Sequence, residues 1–131
     1  VLLFEFIAHS LSDLGLRLFG ATFDKVRAAR RMAAHRRGEK VALRCLQRVA
    51  EEGPAMTRGK LTVFRGAVEL SRAGAEPLRL TAPAGTAATP CEGGSSLVCD
   101  ARGGGPVELL LPTRDAALLA LITDTMAGVR A

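Results

Sequence analysis

Hydrophobic positions along the chain follow two regimes that meet near Gly53-Pro54. Upstream, apolar residues recur every three or four positions. Downstream, they alternate in short runs separated by Gly and Pro. The first run, Val1 to about Ser12, reads as an apolar helix with Glu5, His9 and Ser12 on one stripe. Leu14–Gly20 alternates and predicts a short strand or extended link. Thr22 or Asp24 then caps a helix that breaks at Gly38. Charges lie on nearly every side of that helix, leaving Val26, Ala29 and Ala33 as a thin packing stripe. From Glu39 to Glu52, Val41, Ala42, Cys45, Leu46 and Val49 share one helical face, with Lys40, Arg44, Gln47, Arg48 and Glu51 opposite. This pattern predicts an amphipathic helix stopped by Gly53-Pro54.

The second half predicts strands over Lys60–Arg65, Ala67–Leu70, Pro77–Thr81, Ser96–Asp100 and Val107–Leu111. Gly66 reads as a kink or bulge between the first two. Gly103-Gly104-Gly105 joins the last two as a hairpin. Ala82–Gly94, rich in Ala, Pro, Thr and Gly, reads as a long mobile loop. Thr113 is the expected cap of a closing helix over 114–129, with Asp115 suited to the positive end of its dipole. Leu118, Leu121, Ile122, Thr125 and Val129 form an inward stripe that would cover an open end of the strands. The expected class is α+β: N-terminal helices followed by a mainly antiparallel sheet closed by a C-terminal amphipathic helix. The expected division is a helical segment at 1–56, with basic helices over 22–52, and a β-domain at 57–131.

Composition narrows the chemistry. The chain has 131 residues, five Phe and no Trp or Tyr, which suits one domain or a small domain with a helical appendage. Because it starts at Val1 inside a helical pattern, it reads as a piece of a longer protein. Glu5, His9 and Asp13 interrupt the first run well short of the ~20 apolar residues that span a bilayer. The run also lacks a basic leader and a cleavage site. Cys45, Cys91 and Cys99 have no CxxC spacing, so reduced thiols in an intracellular protein are expected. Neither His9 nor His35 stands at ligand spacing from a cysteine, and no metal or cofactor is expected. The glycine-rich pieces lack the Gly-Lys-Ser/Thr ending of a phosphate loop. No Ser, Cys or Asp relay attends either histidine, so no enzyme activity is expected.

Charge is the most informative remaining feature. Lys25 to Arg48 holds nine Lys/Arg against the single acid Glu39, while the whole chain is only +5, so the remainder is net acidic. Such concentration attracts phosphates, whether of nucleic acid, anionic lipid or an acidic protein partner. Lys40, Arg44 and Arg48, at four-residue intervals, form one basic ridge. Arg58, Lys60, Arg65 and Arg72 surround the first hairpin, where cations converging on one phosphate give charge-assisted bonds. These seven residues are the candidate site. The plain alternatives are a solvated helix face and edge-strand charges that block aggregation. Two other readings stand beside the anion-binding one: a basic nucleic-acid-associated protein, for which only Phe23 lies near the basic run so that stacking lacks its usual aromatic platform, and a purely structural segment of a larger assembly, suggested by the apolar run at Val1–Ile7.

Leu97-Val98-Cys99-Asp100, a glycine turn, the strand to Leu111, then Thr113-Arg114-Asp115-Ala116-Ala117-Leu118-Leu119-Ala120-Leu121-Ile122 and Ala127-Gly128-Val129-Arg130-Ala131 resemble the end of a pleckstrin-homology (PH)-like module. That module lies in the N-terminal region of the large endosomal DnaJ-domain proteins of receptor-mediated endocytosis. Leu16-Arg17-Leu18-Phe19-Gly20 is similar to a run upstream of it. The basic region between Phe23 and Glu52 departs from that pattern, and the J-domain His-Pro-Asp is absent from the chain. The resemblance implies a PH-like barrel at 57–131 in a cytoplasmic scaffold peripheral to endosomal membranes. It also implies phosphoinositide or protein contacts in endosome organization and membrane trafficking. An Hsp70-type chaperone would be engaged only through a J domain outside this chain.

Overall fold

Residues 41–49 form a strand, because their side chains alternate perfectly between two environments. Val41, Leu43, Cys45, Gln47 and Val49 are buried, whereas Arg44 and Leu46 face solvent and Ala42 and Arg48 are half-buried. The computed structural model describes residues 15–128, with side chains from residue 23 onward. In it β1 (Val41–Val49) pairs antiparallel with β2 (Thr57–Phe64) along one edge, and over its last four residues with β7 (Pro106–Leu111) along the other. The helix expected over Glu39–Glu52 is therefore corrected to a strand followed by a single 3-10 turn, Ala50–Glu52. A nine-residue run with β-branched ends satisfies both a 3.6 and a 2.0 period. Pairing on both edges decides between them. The expected boundary at Gly53-Pro54 falls for the same reason, since β1 is integral to the sheet.

The remaining strands are β3 (Ala67–Arg72), β4 (Leu78–Thr81), β5 (Thr89–Cys91) and β6 (Gly94–Ala101). Their order is β4-β3-β2-β1-β7-β6-β5, with β4 also pairing β6, so six strands close into an antiparallel barrel and β5 extends β6 outside the ring. The inner faces supply Leu61, Val63, Leu70, Leu97, Val107, Leu109 and Leu111, all essentially inaccessible. Burial of this size per side chain is worth about 1.5–3 kcal/mol each and is the main stabilising term. Gly66 is neither kink nor bulge. Arg65 (φ 51°) and Gly66 (φ 75°) form the two-residue turn between paired Phe64 and Ala67. The Ala82–Gly94 stretch, read as loop throughout, contains β5.

Helix α1 (Gly15–Arg36) includes most of the stretch expected to be extended at Leu14–Gly20. It ends where Gly38 (φ 77°) allows the amide of Glu39 to donate to the Ala34 carbonyl and that of Gly38 to His35. Its packing stripe is not Val26, Ala29 and Ala33. Ala28 is fully buried and Met32 packs on the core, while Val26 and Ala29 face solvent. The reason is Asp24, whose carboxylate accepts from the Thr113 hydroxyl (2.6 Å) and the Arg114 amide (2.8 Å) and fixes the rotation of the helix. The expected helix at Val1–Ser12 and the contact from Val129 lie outside the described residues. The described N-terminal part holds one helix.

Helix α2 (Ala116–Met126) lays Leu118, Leu121, Ile122 and Met126 over one end of the barrel. Thr125 is only partly buried and bonds its own helix through the Leu121 carbonyl. The cap is Asp115, which accepts from the Leu118 amide (2.9 Å), not Thr113. Thr113 is instead buried at a junction, where its carbonyl accepts from the Ser95 hydroxyl and its own hydroxyl serves Asp24.

Three substitutions check this framework. A Cβ on Gly94 would lie 1.8 Å from the Leu111 carbonyl oxygen, so Gly94→Ala breaks the β6–β7 register. It should cost about 4 kcal/mol or more in urea unfolding. Gly93→Ala meets no atom within 4 Å and should cost about 1 kcal/mol, from its φ of 84° alone. Asp24→Ala removes two charge-assisted bonds and should cost about 2 kcal/mol.

Candidate anion site on the outer sheet face

The seven sequence-predicted cations separate into three groups according to which partner each finds. Arg48 pairs with Glu108 directly across the β1–β7 ladder. Arg72 points into the barrel end, where its guanidinium is held by the Glu52 carboxylate and the Glu76 carbonyl. Only 6% of its side chain is exposed, and its buried Nε has no hydrogen-bond partner. Lys40 (5.5 Å) and Arg65 (5.0 Å) both stand over the Phe64 ring, where the aromatic face attracts cations.

Arg44, Arg58 and Lys60 form the third group. They line a cleft of about 830 Å³ on the outer face of β1 and β2. None of the three has a hydrogen-bond or ion-pair partner among the described residues, and no carboxylate lines the cleft. Its apolar wall is Leu46, Leu110 and Pro112, and Gly93 of the β5–β6 turn completes the rim. Arg72 reaches the same cleft from β3, so the structure brings together four of the seven predicted residues, three of them without a protein partner.

Backbone pairing places these cations closer than sequence spacing implies. Arg44 lies directly opposite Lys60 in the β1–β2 register, and Arg58 lies opposite Leu46, one diagonal step away. Ala42 turns its carbonyl away from β2, to accept from Arg31 Nε at 3.2 Å. Arg44, two residues on, turns to the same edge, which makes Arg44–Lys60 a non-hydrogen-bonded pair, where side chains approach most closely. Like charges directly opposite are destabilising unless an anion lies between them. The β1–β7 ladder stops at Leu46–Leu110, and two residues on, where the register would set Pro112 opposite Arg44, Pro112 has no N–H to give. The cleft opens where those two strands part.

Sequence reasoning overlooked Leu46, Leu110 and Pro112. The signal was present in Leu109-Leu110-Leu111, since a strand with one solvent face would carry a polar residue at its centre. The other chemistry is structural. Burial pushes the Cys45 thiol up to about 11. Burial, helped by the nearby Asp100 charge and Cys45, pushes Cys99 up to about 12. Burial, then the neighbouring Arg27, holds the Arg31 guanidinium below its ordinary value, while Asp24 acts in the opposite direction. Among the described residues no group of three His, Cys, Asp or Glu side chains is arranged to hold a metal ion. No helix among them is long and apolar enough to cross a membrane.

The thiols supply a pH prediction. Folded pKa values raised above the unfolded value of about 9 mean that thiol protonation stabilises the fold fully below pH 9. That contribution is lost as pH rises toward 12. Urea midpoints should fall over that range, and the fall should shrink in the Cys45→Ala, Cys99→Ala double variant. At pH 8, iodoacetamide followed by mass spectrometry should find the half-buried Cys91 modified first and all three thiols only after unfolding. In comparisons with known proteins, no protein-family model and no curated protein matches this chain.

Proposed function

We propose that the chain is a non-enzymatic recruitment module that binds anionic lipid headgroups in the cleft formed by Arg44, Arg58 and Lys60. The observation that carries this reading is the Arg44–Lys60 cross-strand pair, two facing cations with no carboxylate beside them. Elsewhere the same chain supplies a Glu or a Phe ring to Arg37, Arg48, Arg72, Lys40 and Arg65. A phosphate placed between Arg44 and Lys60 replaces repulsion by two charge-assisted bonds. The apolar wall at Leu46 and Leu110 suits the glycerol and upper acyl region of a lipid. The antiparallel barrel closed by α2 fits the PH-like reading of the β-domain. The endosomal setting, and an Hsp70-type chaperone reached through a J domain elsewhere, are proposed from the resemblance of residues 97–131.

The test is co-sedimentation with phosphatidylcholine vesicles carrying a phosphorylated inositol lipid or phosphatidylserine. Binding should weaken steeply as salt rises. Arg44→Glu with Lys60→Glu should weaken it about a hundredfold, as expected for two lost charge-assisted bonds. Arg72→Ala, which removes the cleft's one carboxylate-paired cation, should lower stability and weaken binding less than the charge-reversed pair does. Soluble inositol phosphate that competes fully would identify the headgroup alone as the ligand. Undiminished binding by the charge-reversed pair, or retardation of labelled RNA in place of vesicle binding, would overturn the reading.

A further inference from the structure

Alternation along β6 leaves Val98 outside both the core and the cleft. In the middle of that strand it is 63% exposed, while its neighbours Leu97 and Cys99 are buried. Backbone register fixes where it stands. Leu46 lies opposite Leu110 and Leu110 opposite Ser96, while Arg48 lies opposite Glu108 and Glu108 opposite Val98. The intervening residues of all three strands are buried, so Arg44, Leu46, Arg48, Glu108, Leu110 and Val98 share the outer face. Val98 is thus one diagonal step from Leu110, which walls the cleft. A second hollow of about 460 Å³ surrounds it, lined also by Ala50, Pro54 and Pro106 and by Arg48 and Glu108, which neutralise each other. Asp100, the next outward residue of β6, lines neither hollow.

One sheet face therefore carries unpaired cations at one end and an aliphatic, proline-lined hollow at the other. From Arg44 to Val98 is two strands across and four residues along, about 17 Å. The hydrocarbon core of a bilayer, two chains end to end, is about 30 Å thick, so that separation is about one acyl chain. We infer that a lipid held by its phosphate between Arg44 and Lys60 lays one acyl chain over Leu46 and Leu110 into the hollow at Val98. On the anion-cleft reading, on which this rests, the ligand is then an anionic phospholipid with one chain, bound as a single molecule. Charge complementarity places the phosphate, and the aliphatic path gives the chain one direction to run. The chain covers Leu46 and Val98, the two large hydrophobics that the strands leave exposed.

Titration calorimetry of the whole chain with 1-acylglycerol phosphates, kept below their micelle-forming concentrations, tests this. Affinity should rise about fourfold for every two carbons, from partial burial of each methylene, and level off near about twelve to fourteen carbons. Val98→Ser should weaken the longest ligand about tenfold, while leaving glycerol phosphate binding unchanged and moving the urea midpoint little. Val98→Trp, the sole indole in a chain without Trp, should shift its emission to the blue with the long-chain ligand and not with glycerol phosphate. Affinity independent of chain length, with glycerol phosphate bound as tightly, overturns the inference and leaves the cleft reading standing. So does binding to vesicles carrying the same lipid with none to its monomers, which makes the bilayer surface the ligand. A dimer in sedimentation that Val98→Ser dissolves, without chain-length dependence, overturns it in favour of a second copy on this face. Unchanged affinity and chain-length dependence in the Arg44→Glu, Lys60→Glu pair overturn it together with the cleft.

Discussion

The barrel depends on β1 being hydrogen-bonded along both edges. Its register with β2 runs from Val41 to Gln47, and its last four residues pair with β7, so this strand joins the β2–β3–β4 meander to the β6–β7 hairpin. Without it the sheet would expose two long edges and lose the inner face that Val41, Leu43, Cys45 and Val49 complete. Closure elsewhere is slight, since β4 and β6 meet over only two residue pairs. The same strand carries Arg44 and Leu46 outward, so the element that closes the barrel also presents the cleft.

A polar junction around Thr113 holds the helices to this barrel. Its carbonyl accepts from the buried Ser95 hydroxyl, its own hydroxyl donates to Asp24, and the amide of Asp115 donates to that hydroxyl. Arg114 extends the junction to the carbonyls of Cys91 (2.5 Å) and Gly94 (3.2 Å). Strand β7, the β5–β6 turn, α1 and the start of α2 are thereby tied at one place. Buried polar groups that are all satisfied specify geometry more sharply than apolar contacts, because a shifted arrangement would leave charges unpaired. This is how α1 comes to hold Ala28 inward and Val26 outward.

Charge distribution separates structural cations from those available to a ligand. Arg48 and Arg72 are spent on Glu108 and Glu52, and Lys40 and Arg65 share one Phe ring. The three left over converge on one cleft. Net charge alone does not make that distinction, since every one of these residues counts equally toward +5.

The sequence by itself determined the downstream strands, the glycine hairpin, the closing helix and the cations from which the site is drawn. Each rests on a local cause: alternation for the strands, left-handed backbone at glycine for the turn, and a Leu-rich stripe for α2. Of the ridge of Lys40, Arg44 and Arg48, the shared face of the last two was legible for a reason independent of the element, whereas Lys40 precedes β1 and stands over Phe64. A four-residue step returns to the same face in either a helix or a strand, so Arg44 and Arg48 share the outer face of β1. Only the tertiary structure decided that residues 41–49 are a strand, because the run satisfied both periods and the choice fell to pairing with β2 and β7. Only it set Arg44 against Lys60 and parted β1 from β7 at Pro112, since these are contacts between segments far apart in the chain. It alone turned Arg72 inward and rotated α1 about Asp24, because a side chain's partner is fixed by what the fold brings within reach.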